Sequence, residues 1–426
     1  MKRKLYLKNQ TIYQIYVRNH TKEGTFTALI SDLPRLKALG VDILYLLPIH
    51  PIGEIARKGT LGSPYAIKDY YKVNPELGTL EDFQSFLHAA HSFGFKVMID
   101  IVLHHTSPDA VLLKEHPEFY FYKNGKLGNK IGDWSDIIDL DYNNKDLWVY
   151  MKDMLVYWAN IGVDGYRADV APLVPIAFWE YIREELDKVD QDLIWLSESV
   201  EPHFLTLLNA NNHVGHSDLE MYCAFDILYD YDVYPSFKAY LEGNGTLNAY
   251  LDLVRYQEAN YPLGYLKIRT IENHDTSRIN DLCKNELVLR NVTAWSFFQN
   301  GVGFLYAGQE MKAKHRPTLF DVEKVDLEIK DEEFYTFIKQ LVDMKKYPIF
   351  KDVHTFSILN NAHEDVIVAR LISDEERLYG IFNLCGKEVE VNVLIEEGVY
   401  ENIITGNTFA IKKGSLVIDE PLIFFI

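Results

Sequence analysis

Residues 80–103 read LEDFQSFLHAAHSFGFKVMIDIVL, and this stretch decides the fold class. Leu80–Phe93 reads as a helix and stops at Gly94, a residue suited to the left-handed conformation that ends helices. Lys96–Leu103 then reads as a buried-type strand. Such alternation means parallel strands joined by crossover helices. Upstream, Ile12–Val17 and Ile43–Leu47 read as strands around a helix at Ala28–Leu39, with Leu29, Leu33, Leu36 and Leu39 at helical spacing before Gly40. Downstream come a helix at Leu147–Ile161, a strand at Val163–Tyr166, a helix at Pro175–Val189 and a strand at Leu193–Ser197. Weaker strand candidates lie at Leu219–Tyr222, Leu266–Thr270 and Gly303–Tyr306. The expected fold is α/β, with about eight strands, the count that closes a (β/α)8 TIM barrel.

Two segments break the rhythm. Residues 104–146 follow the third strand without a clear helix and carry Pro108, Pro117, Gly125, Gly128 and Gly132, which marks a short inserted loop domain. Beyond Tyr347–Pro348 the chain turns to short alternating strands, at His354–Leu359, Asp365–Ile372, Arg377–Asn383, Glu388–Leu394 and Ser415–Phe425. The expected organisation is a catalytic barrel from 1–103 and 147–346, the insertion at 104–146, and a C-terminal β-sandwich at 347–426.

Composition narrows the function classes. The 426 residues are 48% hydrophobic and 25% charged, the balance of a soluble globular chain. With 43 Lys and Arg against 62 Asp and Glu, the net charge is −19, so nucleic-acid and anionic-membrane partners are not expected. Cys223, Cys283 and Cys385 are scattered and odd in number, which points to neither a disulfide framework nor a zinc site. Lys8, Asn9, Gln10 and Gln14 interrupt any export segment, and no apolar run is long enough to span a membrane, so the cytoplasm is the expected location. The 28 Tyr and 23 Phe fit a surface that stacks on sugars or bases, and equally a Tyr-rich core.

In such barrels the functional groups lie at the C-terminal ends of the strands. The third strand carries Asp100 and ends in His104 and His105. The fourth has Arg167 and Asp169 two apart, and so on one side. The fifth ends in Glu198, and the seventh in Glu272, Asn273, His274 and Asp275. Taken singly, each is an ordinary cap, loop acid or core histidine. Their recurrence after four strands points to a site.

These residues resemble the α-amylase superfamily, glycoside hydrolase family 13. The matching motifs are Asp100-Ile-Val-Leu-His104-His105, Gly165-Tyr166-Arg167-Ala168-Asp169, Glu198 within Trp195-Leu-Ser-Glu-Ser, and Asn273-His274-Asp275. Gly62-Ser63-Pro64-Tyr65, Asp69-Tyr70, Val73-Asn74-Pro75 and Gly308-Gln309-Glu310 extend the likeness to almost the whole chain. The resemblance implies a retaining cleavage of α-glucosidic bonds: Asp169 as nucleophile, Glu198 as acid and base, and Asp275 holding the sugar's hydroxyls. It further implies that Arg167 keeps Asp169 ionised, that His105 and His274 bind hydroxyls, and that Tyr65 stacks on the sugar. Asp100 would brace Arg167, and Arg278 would reach the substrate.

The departures matter too. Many amylases hold a structural calcium through an Asn in the first motif and a His four residues past the nucleophile. Here those positions are His104 and Leu173, which offer no oxygen ligand. The loop acids Asp109, Asp133, Asp136, Asp139 and Asp141 alternate with large apolar residues, unlike a calcium loop, and Trp134 among them is available to stack on sugar. Activity without a metal or other cofactor is therefore expected. Val200 stands where a Trp often follows the acid, on the leaving-group side. The expected substrate is a small malto-oligosaccharide or related α-glucoside. The alternatives are a transglycosylase or isomerase on the same site, or a carbohydrate-binding scaffold without activity. Oligomeric state and linkage preference stay open.

Overall fold

Strand and helix alternate in space as they do in sequence. The structure is a computed structural model that describes residues 4–130, 134–360 and 363–426. The deciding helix spans Leu80–Ser92 and opens on a reciprocal cap: Asp82 N donates to Thr79 Oγ1 at 3.2 Å, and Thr79 N donates to Asp82 Oδ2 at 2.8 Å. Its Phe83, Phe86, Leu87 and Ala90 are buried. The barrel strands are β1 (Thr11–Ile15), β2 (Ile43–Leu46), β3 (Lys96–Ile101), β4 (Gly165–Ala168), β5 (Ile194–Ser197), β6 (Ile227–Leu228) and β7 (Gly303–Tyr306). They form one sheet in the order β6-β5-β4-β3-β2-β1-β7, parallel throughout β2 to β6, as a TIM-barrel wall requires. Gly165 opens β4 because its neighbour comes so near: a Cβ there would lie 2.6 Å from the Ile194 carbonyl oxygen.

The chain divides into two compact units. One is built on Tyr13–Tyr229 with Pro317–Val325, and the other on Arg3–Ile12, Asp230–Arg316 and Asp326–Ile426. The second unit carries the C-terminal strands. Thr355–Leu359, Val366–Ile372, Arg377–Asn383 and Leu422–Phe425 pair antiparallel in that order, and two further antiparallel pairs join Val389–Asn392 to Ser415–Ile418 and Gly398–Glu401 to Thr408–Ile411. Val366, Val368, Ile381, Val391, Ile418 and Phe424 share one buried core. No helix among the described residues is long and apolar enough to cross a membrane.

Several sequence expectations change in detail. Leu219–Tyr222 is not a strand: Asp218–Met221 is a helical turn, because Ser217 and Glu220 form a capping box that favours it. Leu266–Thr270 forms only an isolated bridge, Ile268 to Val302. Ala28–Leu39 is two short helices, Phe26–Ile30 and Leu33–Leu39, the second ending at Gly40 with φ of 91°. The insertion contains a helix at Val111–Glu115 that its sequence did not announce, and Pro348–Asp352 is a helical turn inside the region read as β. Ser415–Phe425 is two strands, and Gly398–Glu401 and Thr408–Ile411 are two more than the sequence suggested. Gly132 and Asp133 lie outside the described residues.

Candidate active site

Register assembles the first unit's polar cluster. Asp100 on β3 is the direct partner of Arg167 on β4, and Arg167 is the partner of Leu196 two residues before Glu198. Arg167 Nη1 donates to Asp100 Oδ1 at 2.8 Å and to Asp169 Oδ1 at 2.9 Å. Arg167 Nη2 lies 3.0 Å from Glu198 Oε1. That contact is an ion pair without hydrogen-bond alignment, since Nη2 finds no aligned acceptor among the described residues. The other Glu198 oxygen, Oε2, accepts the Val170 N–H at 2.8 Å. Asp100 Oδ2 accepts from the Tyr45 hydroxyl at 2.6 Å and the Tyr65 hydroxyl at 2.9 Å. Tyr65 thus has its ring 5.6 Å from the guanidinium and its polar end tied down.

The charges do not balance. Asp100, Asp169 and Glu198 all face one fully buried guanidinium. Burial raises the Asp169 carboxyl well above the usual carboxylate range, Glu198 pushes it further, and Arg167 pulls the other way. Asp169 and Glu198 therefore titrate as a pair that keeps a shared proton to higher pH than a lone carboxyl does. The guanidinium, held by Asp100 despite its burial, stays charged.

His105 is set by the loop that follows β3. Tyr70 donates its hydroxyl to Val102 O at 2.6 Å and to His105 O at 3.2 Å, and Tyr142 donates to Leu103 O at 2.6 Å. His105–Thr106 then pairs antiparallel with Ile138–Asp139, so the insertion returns to where it left. Burial depresses both histidines, His105 to about 4, and they are neutral, with their Nδ1 atoms 3.2 Å apart. The 3.7 Å approach of His104 to Asp139 is accordingly not an ion pair, because burial holds the His104 imidazole neutral. Trp134 packs its ring 6.3 Å from His105 and 6.5 Å from Phe204, and Asn129 donates to its carbonyl at 2.7 Å.

In the second unit, Asn273, His274 and Asp275 form one turn. Asp275 N donates to Asn273 Oδ1 at 2.8 Å, Asn273 Nδ2 donates to the Tyr231 hydroxyl at 2.9 Å, and His274 Nε2 lies 2.9 Å from Asp275 Oδ2. The Asp275 side chain is 46% exposed, the most open of the candidate carboxylates. Arg278 departs from expectation. Its guanidinium is buried and committed to Glu272 Oε1 at 2.6 Å, Ala307 O at 2.8 Å and His315 O at 3.2 Å, with the Tyr306 ring 4.0 Å away. It braces its own turn. Its partner Glu272 also accepts the Ile279 N–H at 2.7 Å. Sequence reasoning assigned no role to Glu272, Tyr45 or Val170. Glu272 left a signal in the polar run after the seventh strand, and Tyr45 as a lone hydroxyl in an aliphatic strand; Val170 left none.

A structural calcium does not fit the residues present. His104 faces His105, and Leu173 is a buried apolar residue of the turn Ala171–Leu173. The loop acids are engaged elsewhere: Asp109 accepts Glu54 N, Asp136 pairs with Lys58 at 2.7 Å, Asp139 accepts Lys130 N and Asp141 accepts Asn143 N. Among the described residues no group of His, Cys, Asp and Glu could hold a metal ion.

Comparison with known proteins identifies the family. The alpha amylase catalytic domain matches residues 14–134 and 130–352, and the bacterial alpha amylase C-terminal domain matches residues 358–424. An alpha-amylase from Lactobacillus plantarum is 41% identical, with a TM-score of 0.95 over 99% of this chain and 100% of that one. A noncanonic maltogenic alpha-amylase from Thermotoga neapolitana is 34% identical, with a TM-score of 0.89 over 99% of both chains. An alpha-1,4-glucan:maltose-1-phosphate maltosyltransferase from Methylacidiphilum infernorum is 36% identical over 199 residues, 42% of this chain and only 30% of that protein's length. With catalytic and C-terminal domain models both matched in order, the chain belongs to the alpha-amylase family.

Proposed function

We propose that this chain is a retaining glycoside hydrolase that cleaves α-glucosidic bonds of small malto-oligosaccharides or related α-glucosides. The observation that carries the reading is the single guanidinium of Arg167 reaching both Asp169, at 2.9 Å, and Glu198, at 3.0 Å. Retention needs two carboxyl groups about 5–5.5 Å apart, one ionised and one protonated. A shared cation is a way to hold two carboxyl groups at short range, and a shared proton supplies the two forms.

In the first step Asp169 attacks the anomeric carbon while Glu198 gives its proton to the departing glycosidic oxygen. A glycosyl ester on Asp169 results. In the second step Glu198, now ionised, takes a proton from water, and the hydroxide oxygen displaces Asp169. Arg167, hydrogen-bonded to Asp169, favours that carboxyl's ionised form. Asp275 binds hydroxyls of the sugar and steadies the oxocarbenium-like state, with His105 and His274 as further hydroxyl partners. Tyr65 offers its ring to the sugar's apolar face. Asp100 acts through Arg167, and Arg278 through Glu272.

The test is a mechanism-based fluoroglycoside that traps the intermediate. One glycosyl unit should attach to the chain, and proteolysis should place it on the peptide holding Asp169. Labelling of another carboxylate, or none with an active preparation, would overturn the assignment. A second reading, glucan transfer to a sugar acceptor, is favoured by the curated relatives that carry the name maltosyltransferase. Product analysis with defined malto-oligosaccharides separates the two, since transfer yields chains longer than the substrate.

A further inference from the structure

Four of the six tryptophans, Trp158, Trp179, Trp195 and Trp295, are fully buried in the core. Trp148 is half-buried, with its indole N–H donating to Tyr142 O at 3.0 Å and its ring against Phe178 and Tyr181. Trp134 instead lies against His105. It too is half-buried, its ring centroid 6.3 Å from that of His105 and 6.5 Å from that of Phe204, tilted 46° and 47° to them. Neighbouring contacts fix its place in the chain. Asn129 Nδ2 donates to Trp134 O at 2.7 Å, and two residues on, the buried Asp136 pairs at 2.7 Å with Lys58 from the loop after β2. A ring whose backbone is already tied down loses little freedom when a ligand stacks on it.

Phe204 ties this ring to the acid's side of the site. It lies in the first turn of the helix Pro202–Ala210, which opens four residues past Glu198. Phe204 is half-buried as well, and Ser199, Val200 and Glu201 before the helix carry no ring. Glu198 hands its proton to the departing glycosidic oxygen, so the departing sugar lies on the side of Glu198. A pyranose is apolar on its C–H faces and polar at its rim, which suits an aromatic surface beside hydroxyl-binding groups. We propose that Trp134 and Phe204 form the surface that holds the departing sugar of an α-glucan, and that Trp134 determines how tightly chains extending past the cut bond are bound. This rests on the reading of Asp169 and Glu198 as a retaining pair and adds the subsite beside it. By microscopic reversibility the departing sugar and an incoming sugar acceptor take the same place, so the same surface serves transfer.

A split between two kinds of substrate tests it. α-Glucosyl and α-maltosyl fluoride release fluoride and place nothing on this surface, whereas malto-oligosaccharides place at least one glucose there. In Trp134→Ala, kcat/KM for malto-oligosaccharides should fall roughly tenfold or more, mainly through KM, while that for the fluoride the parent turns over faster changes about twofold at most. Trp134→Phe, which keeps a ring, should recover most of the loss, and Phe204→Ala should show the same split to a smaller degree. Melting curves separate these effects from loss of folded protein. If Trp134→Ala does not fold, Phe204→Ala and Trp134→Phe are judged by the same ratio. An equal loss on fluorides and malto-oligosaccharides in folded protein would overturn the proposal, because Trp134 then acts on His105 or the carboxylates. Unchanged kcat/KM on both kinds of substrate would overturn it too. Asp169→Ala is measured alongside: if it keeps full turnover of the fluorides, the retaining pair itself has been misread and the proposal falls with it.

Discussion

Each unit buries an ionic cluster, and the two are balanced differently. In the first unit Arg167 alone faces Asp100, Asp169 and Glu198. In the second, Arg269 binds Asp230 at 3.0 Å, Lys267 binds Asp232 at 2.9 Å, and Gln257 bridges the pairs, donating to Asp230 at 2.9 Å and Asp232 at 2.8 Å while accepting from Arg269 at 2.7 Å. Two cations meet two carboxylates there, and every partner is satisfied. Despite burial, Asp232 is held below the usual range by Lys267. A matched cluster has no reason to keep a proton, and it works as a brace. A cluster with one cation against three carboxylates keeps a proton within reach of a second carboxylate, which is what acid and base work requires.

The comparison breaks first if Asp169 is dispensable. Asp169→Ala should lose on the order of 10⁴-fold or more in kcat with the fold retained, since no other group forms the intermediate. Steady-state rates and a melting curve decide it. Glu198→Gln should lose about 10²–10⁴-fold on malto-oligosaccharides, yet recover much of its first step on aryl glucosides whose leaving group needs no proton. An equal loss on both substrates would place Glu198 outside acid catalysis. On the matched side, Arg269→Met strands Asp230 in the interior and should cost about 3–5 kcal/mol in urea unfolding, with turnover per folded molecule close to the parent's.

Acid should act through buried histidines. His50 and His105 are both held to about 4 by burial, below the roughly 6.5 of an unfolded chain. On acidification the unfolded chain takes up protons first, so the stability they contribute is whole above about 6.5 and is lost as pH falls toward 4. Each contributes at most about 3 kcal/mol to that loss. Urea midpoints across this window should fall, and His50→Asn should flatten the slope. The smallest expected effect is none: exhaustive EDTA dialysis should leave both activity and melting temperature where they were, and restoration by calcium of a lost activity would refute metal independence.

The readable parts were those governed by local periodicity. Helix Leu80–Ser92 and strand Lys96–Ile101 announce themselves because packing on one face forces apolar residues to recur at fixed spacing. Arg167 and Asp169 could be placed on one side for the same reason. The second half of the barrel was harder. Ile227–Leu228 is only two residues long, and it was eclipsed by Leu219–Tyr222, whose apolar residues serve a capped helical turn instead. Short segments carry too few periods for pattern to outweigh a cap.

By itself the sequence determined that strands would run parallel, that acids would follow them, and which motifs resemble a sugar-cleaving family. Tertiary structure alone decided how many of those acids share a cation, and which polar groups are buried in bracing bonds. Arg278 looks in sequence like a substrate ligand beside Asn273-His274-Asp275, yet each of its three side-chain nitrogens donates within its own unit, to Glu272, Ala307 and His315. Val170 looks like an ordinary apolar residue, yet its amide donates to Glu198. The physical reason is common to both. Hydrogen bonds of this kind depend on atoms brought together from distant strands, and no local pattern of residue types encodes where those atoms arrive.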